Sequence, residues 1–226
     1  MQEISMKVIA RIKSDFPDKF GIPRQSGVVQ SLVSTIIFEP EYRNGDALRG
    51  LEDFSHLWII WQFSEAVRDN WSPTVRPPRL GGNTRMGVFA TRSPFRPNAI
   101  GLSSVSILKI ESTREYGPVI HVMGADLMDG TPIFDIKPYI PYCDCHTDAT
   151  GGFTDSAGDF TVKVNIDPAL LEKVAEDKRE SLMDVLSHDP RPSYQKDSDR
   201  IYGLNFAGMN VRFRVSGGVL TVIEIL

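Results

Sequence analysis

The chain has 226 residues, a formal net charge of −4, 41% hydrophobic and 24% charged residues. That is the balance of a folded protein of one domain, or a main domain with a small second one, and it excludes a disordered segment. The longest apolar run, Leu57 to Trp61 with Phe63 after one glutamine, is too short to span a bilayer, and the opening MQEISMKVIARIK carries charges where a signal peptide needs an apolar stretch. The two cysteines, Cys143 and Cys145, sit too close together to frame a fold, as expected of a cytoplasmic chain.

In chain order, Ile4 to Ile12 alternates with period two, Val28 to Phe38 is rich in β-branched and apolar residues, and Leu57 to Trp61 reads as a strand covered on both sides. Strands are predicted at Met86 to Ala90, Ile100 to Ile110, Val119 to Met123 and Ile133 to Ile140, each bounded by Gly, Pro, Asn or Asp. Short strands with little helix between them predict a mainly β, barrel-like or sandwich domain over residues 1–142. Residues 143–159 hold one large apolar side chain, Phe153, and read as a linker. Beyond it, Phe160, Val162, Val164 and Ile166 alternate, and Asp167-Pro168 caps a helix. A stripe from Leu170 to Leu186 is open to a break in the charged turn Glu176 to Glu180, and Asp189-Pro190-Arg191-Pro192 ends it. Val211, Phe213 and Val215 then alternate before a Ser216-Gly217-Gly218 turn and a last strand to Ile225. Residues 160–226 thus form a small α+β domain.

Net charge alone argues against nucleic acid, but its distribution argues for it. From Asn70 to Ile110 there is no Asp or Glu, while Arg76, Arg79, Arg85, Arg92, Arg96 and Lys109 contribute six positive charges and leave about −10 on the rest. Such a block marks an anion-binding face. Arginine's planar fork suits phosphate and base stacking, and Pro73, Pro77, Pro78, Pro94, Pro97 and Gly81-Gly82 make the loops stiff, which favours a site over scattered surface charge.

There is no G-x-G-x-x-G, Walker loop, G-x-S-x-G or H-E-x-x-H, so a Rossmann dinucleotide or methyltransferase site is not expected. Cys143, Cys145 and His146 are adjacent residues without a second cluster, and no metal is expected there. His56 reads as a buried hydrogen-bonded residue ahead of a base, and His121 as structural. Asp126-Leu127-Met128-Asp129-Gly130 is a turn between strands whose carboxylates cap backbone or act as acid and base, and Asp135, Lys137 and Tyr139 follow on one face.

The stretches FPDKFGIPRQSG (16–27), GLEDFSHLWIIWQF (50–63), TVRPPRLGGNTRMGVFATRSPFRPNAIGLS (74–103) and GADLMDGTPIFDIKPYIPY (124–142) resemble the TsaA-like, or TrmO, family. DPRPSY (189–194), RIYG (200–203) and VRFRV (211–215) match as well, so the resemblance covers nearly the whole chain. It implies a β-barrel, S-adenosylmethionine-dependent methyltransferase acting on N6 of threonylcarbamoyladenosine at position 37 of tRNA, with the anticodon loop as partner and a homodimer as the assembly. Carried over residue by residue, it implies cofactor contacts from Gln25, Ser26, Gly27, Ser64, Glu65, Arg92, Leu102 and Asp126, Leu127, Met128 and Asp129. Ser64 departs from a histidine common in relatives. The proton acceptor is then Asp126, Asp129 or Tyr139, and Arg76, Arg79, Arg85, Arg96, Arg212 and Arg214 grip phosphates or the threonyl carboxylate. The alternatives are a non-catalytic tRNA-binding protein and a small-molecule methyltransferase.

Overall fold

The computed structural model describes residues 3–80, 83–155, 161–192, 195 and 197–226, and Arg79 by its backbone only. Among the described residues, twelve strands and three α-helices follow one another: β1 (Ala10–Lys13), β2 (Val33–Phe38), β3 (His56–Gln62), β4 (Thr74–Val75), β5 (Met86–Gly87), β6 (Ile100–Thr113), β7 (Gly117–Met123), β8 (Pro132–Pro138), α1 (Pro141–Asp144), β9 (Lys163–Asn165), α2 (Pro168–Leu171), α3 (Glu176–Ser187), β10 (Tyr202–Phe206), β11 (Met209–Ser216) and β12 (Val219–Ile225). The chain forms two compact units that are not linear blocks. Met1–Ser14, Gln25–Trp71 and Pro94–Cys145 make the first; Asp15–Arg24, Ser72–Ser93 and His146–Leu226 make the second.

In the first unit six strands pair in the order β1-β2-β7-β6-β3-β8, and β8 pairs back to β1, so the sheet closes on itself. Every pairing is antiparallel. Closure leaves no unpaired edge along this sheet. Alternation fills the interior: Ala10, Ile12, Ile36, Leu57, Ile59, Val105, Ile120, Val122 and Ile133 are all buried there. Trp58 and Ile60 point outward and are only partly covered, so β3 is not sheathed on both sides as its apolar run predicted. The antiparallel order also sorts the loops. Ser14, residues 25–32, 63–71, 94–99 and 124–131 leave one end of the sheet, whereas residues 39–55, 114–116 and 139–145 leave the other.

Four local expectations are corrected. The alternation at Ile4 to Ile12 yields strand only from Ala10, and Ile4 stays 81% exposed because its apolar face meets no partner. Residues 28–32 form turns in which Val29 and Leu32 are nevertheless buried, and β2 begins at Val33. Met86 to Ala90 is two residues of strand followed by a 3-10 turn at Val88–Ala90. His56 is exposed rather than buried, its ring nitrogens 2.8 Å from Ser55 Oγ and 3.1 Å from Ser106 Oγ.

The second unit holds a four-stranded sheet in the order β10-β11-β12-β9, with β9 parallel to β12, and a two-stranded ladder of β4 with β5. Asp167 caps α2 by accepting from Ala169 N–H at 2.8 Å, with Pro168 at the first helical position. The helical stripe does break in two, but at residues 172–175 and not at Glu176 to Glu180. Glu176 and Asp177 instead form the first turn of α3, where negative charge favours a helix N-terminus. Leu182, Val185 and Leu186 bury its inner face, and Phe16 meets Phe206 edge-on at 5.4 Å. Phe160 and Gly81-Gly82 lie outside the described residues.

Candidate active site

Two loops at one end of the closed sheet are fastened to each other. Gly27 N–H donates to the Gly124 carbonyl and Gly124 N–H donates to the Leu32 carbonyl, both at 2.9 Å. Both glycines have positive φ, +78° and +79°, a region that side-chain-bearing residues adopt at a cost. A Cβ on Gly124 would stand 3.3 Å from the Gly27 Cα and N, whereas one on Gly27 would meet nothing within 4 Å. The turn at 25–27 therefore presses its backbone against the turn at 124–127 and leaves open space on its other side. Gln25, Ser26, Gly27 and Asp126 to Asp129 are thus brought together.

Beneath this junction a buried polar chain reaches the carboxylate. The Trp61 indole N–H donates to Ser103 Oγ at 3.0 Å, and Ser103 Oγ donates to Asp126 Oδ1 at 2.6 Å. Indole can only donate, so the serine's single proton is directed to the carboxylate. The pairing β6 with β7, continued past Met123, puts Asp126 level with Ser103, which faces Ile59 across β3. Glycine at 101 makes room: any side chain there would overlap the Trp61 indole. Asp126 is half-buried and Leu127 fully buried, so the loop is anchored by an apolar residue beside its acid.

The remaining predicted residues divide. Ser64 and Glu65 form an exposed 3-10 turn, Ser64–Ala66, at the same end of the sheet. Leu102 is near that end too, but its side chain lies on the outer face and is 58% exposed. Asp129 Oδ1 accepts from Ser14 N–H at 2.9 Å, and Ser14 Oγ donates to the Leu127 carbonyl at 2.9 Å, so this acid ties down the end of β1. Tyr139 is not with the others. Its N–H donates to the His56 carbonyl, three residues back along β3 from the level of Ser103, at the opposite end of the sheet; that is roughly 10 Å along the strand. Its ring packs near Trp58, and desolvation, then Cys145 and Asp144, raise its hydroxyl above the ordinary 10.0, so it holds its proton. Sheet polarity thus separates Tyr139 from Asp126 and Asp129.

Of the predicted arginines, Arg96 belongs to the first unit, beside the start of β6. Arg76, Arg85, Arg92, Arg212 and Arg214 belong to the second, and all five are exposed; the Arg79 side chain is outside the described residues. Thr74 pairs with Gly87 and Val75 with Met86, and continuing that register by one residue sets Arg76 across from Arg85. Like charges directly opposite repel unless an anion intervenes. Arg212 is committed elsewhere, to Glu224 at 3.2 Å on β12, while Arg214 forms no ion pair among the described residues.

Sequence reasoning missed Ser103, Trp61 and Gly124. A signal existed for the first: Ser103 is a polar residue at an inward position of an alternating strand, and such a position needs a buried partner.

Comparison with known proteins supplies the context. The family model described as the tRNA-methyltransferase O N-terminal domain matches residues 11–145, and that of the TrmO C-terminal domain matches residues 159–226. A tRNA (adenine(37)-N6)-methyltransferase of Escherichia coli (strain K12) is 41% identical over 224 residues, covering 96% of this chain and 95% of that protein. An S-adenosyl-L-methionine-binding protein of Archaeoglobus fulgidus is 39% identical over 140 residues, 62% of this chain and 92% of the relative. The crystal structure of TrmO from Pseudomonas aeruginosa superposes with a TM-score of 0.81 at 31% identity, covering 100% of this chain and 98% of that one.

Proposed function

This chain belongs to the tRNA-methyltransferase O family, and on that footing we propose that it transfers a methyl group from S-adenosylmethionine to N6 of adenosine 37 of tRNA, with a threonylcarbamoyl group already on that nitrogen. The observation that carries the reading is the junction of two glycine-turned loops over a held carboxylate, Gly27 to Gly124 with Asp126 beside them. The donor set fits the cofactor. Backbone N–H groups of Gln25 and Ser26 suit its carboxylate and adenine, with Gly27 holding the loop through Gly124, and Asp126 and Asp129 suit ribose hydroxyls or the methionyl ammonium. The open space beside Gly27 is where a backbone-lined ligand fits without meeting a side chain. That the archaeal S-adenosyl-L-methionine-binding relative spans only 62% of this chain supports a cofactor site confined to part of it.

Bound there, S-adenosylmethionine supplies an electrophilic methyl group on a sulfonium. The protein's work is to orient and to remove a proton. N6 of a threonylcarbamoylated adenine is part of a urea, its lone pair is delocalised, and it must lose its proton as the bond to carbon forms. Asp126 takes that proton directly or through one water, and the Trp61–Ser103 chain fixes its direction. Asp129, whose oxygen already holds Ser14, positions the loop. Arg76, Arg79, Arg85 and Arg96, with Arg212 and Arg214 extending the grip, contact anticodon-loop phosphates or the threonyl carboxylate, and Arg92 contacts the cofactor. In the same reading residues 1–142, apart from 15–24 and 72–93, are the barrel-like cofactor domain, 143–159 a linker and 160–226 a small α+β domain, in a cytoplasmic homodimer.

The test is to incubate the protein with methyl-labelled S-adenosylmethionine and tRNA from a strain lacking this activity, with and without the threonylcarbamoyl group. Label at N6 of the modified tRNA alone is expected. Equal label in unmodified tRNA overturns the acceptor assignment, and no label despite tight cofactor binding overturns the transfer.

A further inference from the structure

One feature of the first unit is untouched by the phosphate contacts and the cofactor loops. The Arg68 guanidinium carbon lies 3.8 Å over the centroid of the Phe95 ring. Guanidinium and ring are thus in stacking contact, while Arg68 is exposed and Phe95 keeps 39% of its surface in water. Arg68 forms no ion pair among the described residues, although Asp69 is its neighbour. Three residues on, Trp71 is 53% exposed. Large aromatic surface in water is unfavourable, and a cation–π contact in solvent offsets only part of that cost.

Placement narrows what covers this surface. Residues 63–71 leave the end of β3 and residues 94–99 enter β6, so Arg68, Trp71 and Phe95 stand at the end of the closed sheet that carries the Gly27–Gly124 junction and Asp126. Phe95 and Trp71 fall within the stretch from Asn70 to Ile110 that has no acidic residue, and Arg96 follows Phe95 directly. Aromatic faces and a guanidinium plane beside the positive charge of Arg96 are complementary to unpaired nucleobases on a phosphate backbone, although Glu65 and Asp69 share the 63–71 loop with Arg68 and Trp71.

We infer that Arg68, Phe95 and Trp71 form a stacking platform for unpaired bases of the RNA loop, flanking the nucleotide that enters beside Asp126. The inference rests on the reading of the chain as a tRNA methyltransferase and names the part of the substrate that the platform holds. To reach a carboxylate at the mouth of the sheet, adenosine 37 has to leave its neighbours' stack. The platform replaces the lost stacking on the flanking side, so it contributes to positioning as well as affinity.

The test uses the full chain and an anticodon stem-loop RNA, with affinity read by fluorescence anisotropy across a salt series. Phe95→Leu and Trp71→Leu keep apolar bulk and remove the π face; Arg68→Lys keeps charge and removes the plane. Each is expected to weaken RNA binding by about 5- to 150-fold, the range for one lost base stack, with the salt slope and S-adenosylmethionine affinity unchanged. Placing an abasic nucleotide beside position 37 is expected to remove the difference between wild type and variant, which a merely destabilised fold would not do. Unchanged RNA affinity in Phe95→Leu and Trp71→Leu overturns the platform, as does an altered oligomeric state with RNA affinity retained, which would make this a surface between protein chains. Wild-type protein that binds the RNA in this manner but transfers no methyl group overturns the proposed reaction and leaves the platform standing.

Discussion

Ser103 and Asp126 are joined by a 2.6 Å hydrogen bond whose direction is set from behind, because the Trp61 indole already occupies the serine as a donor. A carboxylate at a loop would ordinarily sample several rotamers. This one is steered by a hydroxyl rooted in the buried interior of the closed sheet, so its orientation is tied to the core.

Ser103→Ala removes that steering and leaves the Trp61 N–H buried without its acceptor, which is expected to cost about 1–3 kcal/mol of stability. Denaturant unfolding reads that loss. Asp126→Asn keeps the shape and is expected to lower turnover by on the order of 10²–10⁴, the usual contribution of a positioned base. Tyr139→Phe, at the far end of the sheet, is expected to leave turnover unchanged. A loss on Tyr139→Phe with Asp126→Asn near wild type would exchange the two roles.

Gly124→Ala forces a side chain onto φ +79° and sets a methyl group 3.3 Å from the Gly27 backbone. Stability is expected to fall by about 1–3 kcal/mol, and the 25–32 loop to be displaced. Calorimetric titration with S-adenosylmethionine should then show weakened binding, while Gly130→Ala, also strained but open around its Cβ, should retain affinity better.

Arg76 and Arg85, opposed across the end of a short ladder, repel one another in the free protein. Replacing either with Gln is expected to leave stability unchanged or slightly higher while weakening tRNA binding. The log–log salt slope should become shallower by roughly 0.7–0.9 for each phosphate contact removed. A slope equal to wild type in both variants would remove them from the RNA-binding set.

Glu111 is a source of acid sensitivity. Glu111 accepts from Lys109 Nζ at 2.9 Å and sits 2.8 Å from His121 Nε2, and these contacts, Lys109 first, hold its carboxyl below the ordinary 4.5. A carboxyl depressed in the folded state stabilises above its unfolded value, and that contribution is lost as pH falls through the folded value. Glu111→Gln is expected to flatten this part of the acid limb in thermal melts between pH 3 and 5, a window of roughly one unit about the ordinary carboxyl value, with little change at pH 7.

Local rules were legible where one residue decides one bond. Asp167-Pro168 announced its cap, and the alternation of Val211, Phe213 and Val215 announced a half-buried strand. The same alternation misled at Ile4, because period two states which face is apolar and not whether anything covers it. Tyr202 to Phe206 alternates just as well, with Ala207 and Gly208 turning at positive φ, but Gly203 and Asn205 dilute the strand signal and β10 was not anticipated. The resemblance pointed to the 25–27 and 126–129 loops but not to what fastens them: the Gly27–Gly124 bond joins positions distant in sequence. Tyr139 shows the limit from the other side. It shares a motif stretch with Asp126, yet β8 runs between them and carries it the length of the sheet away.

The seam of the closed sheet has a thermodynamic consequence. β1 meets β8 through only two aligned pairs, Ala10 with Ile133 and Arg11 with Pro132, and proline brings no N–H to the ladder. Just beyond them, Ile12 N–H donates to the Thr131 carbonyl and Gly130 N–H to the Ile12 carbonyl, next to the Ser14–Asp129 tie. Opening fluctuations begin where a structure is held least. On the proposed reading, a cofactor seated on the 124–129 loop favours the closed seam, so occupancy and seam closure draw on one free energy. Amide exchange at Ile9, Ile12 and Gly130 then becomes a direct gauge of cofactor occupancy, readable without any methyl acceptor present.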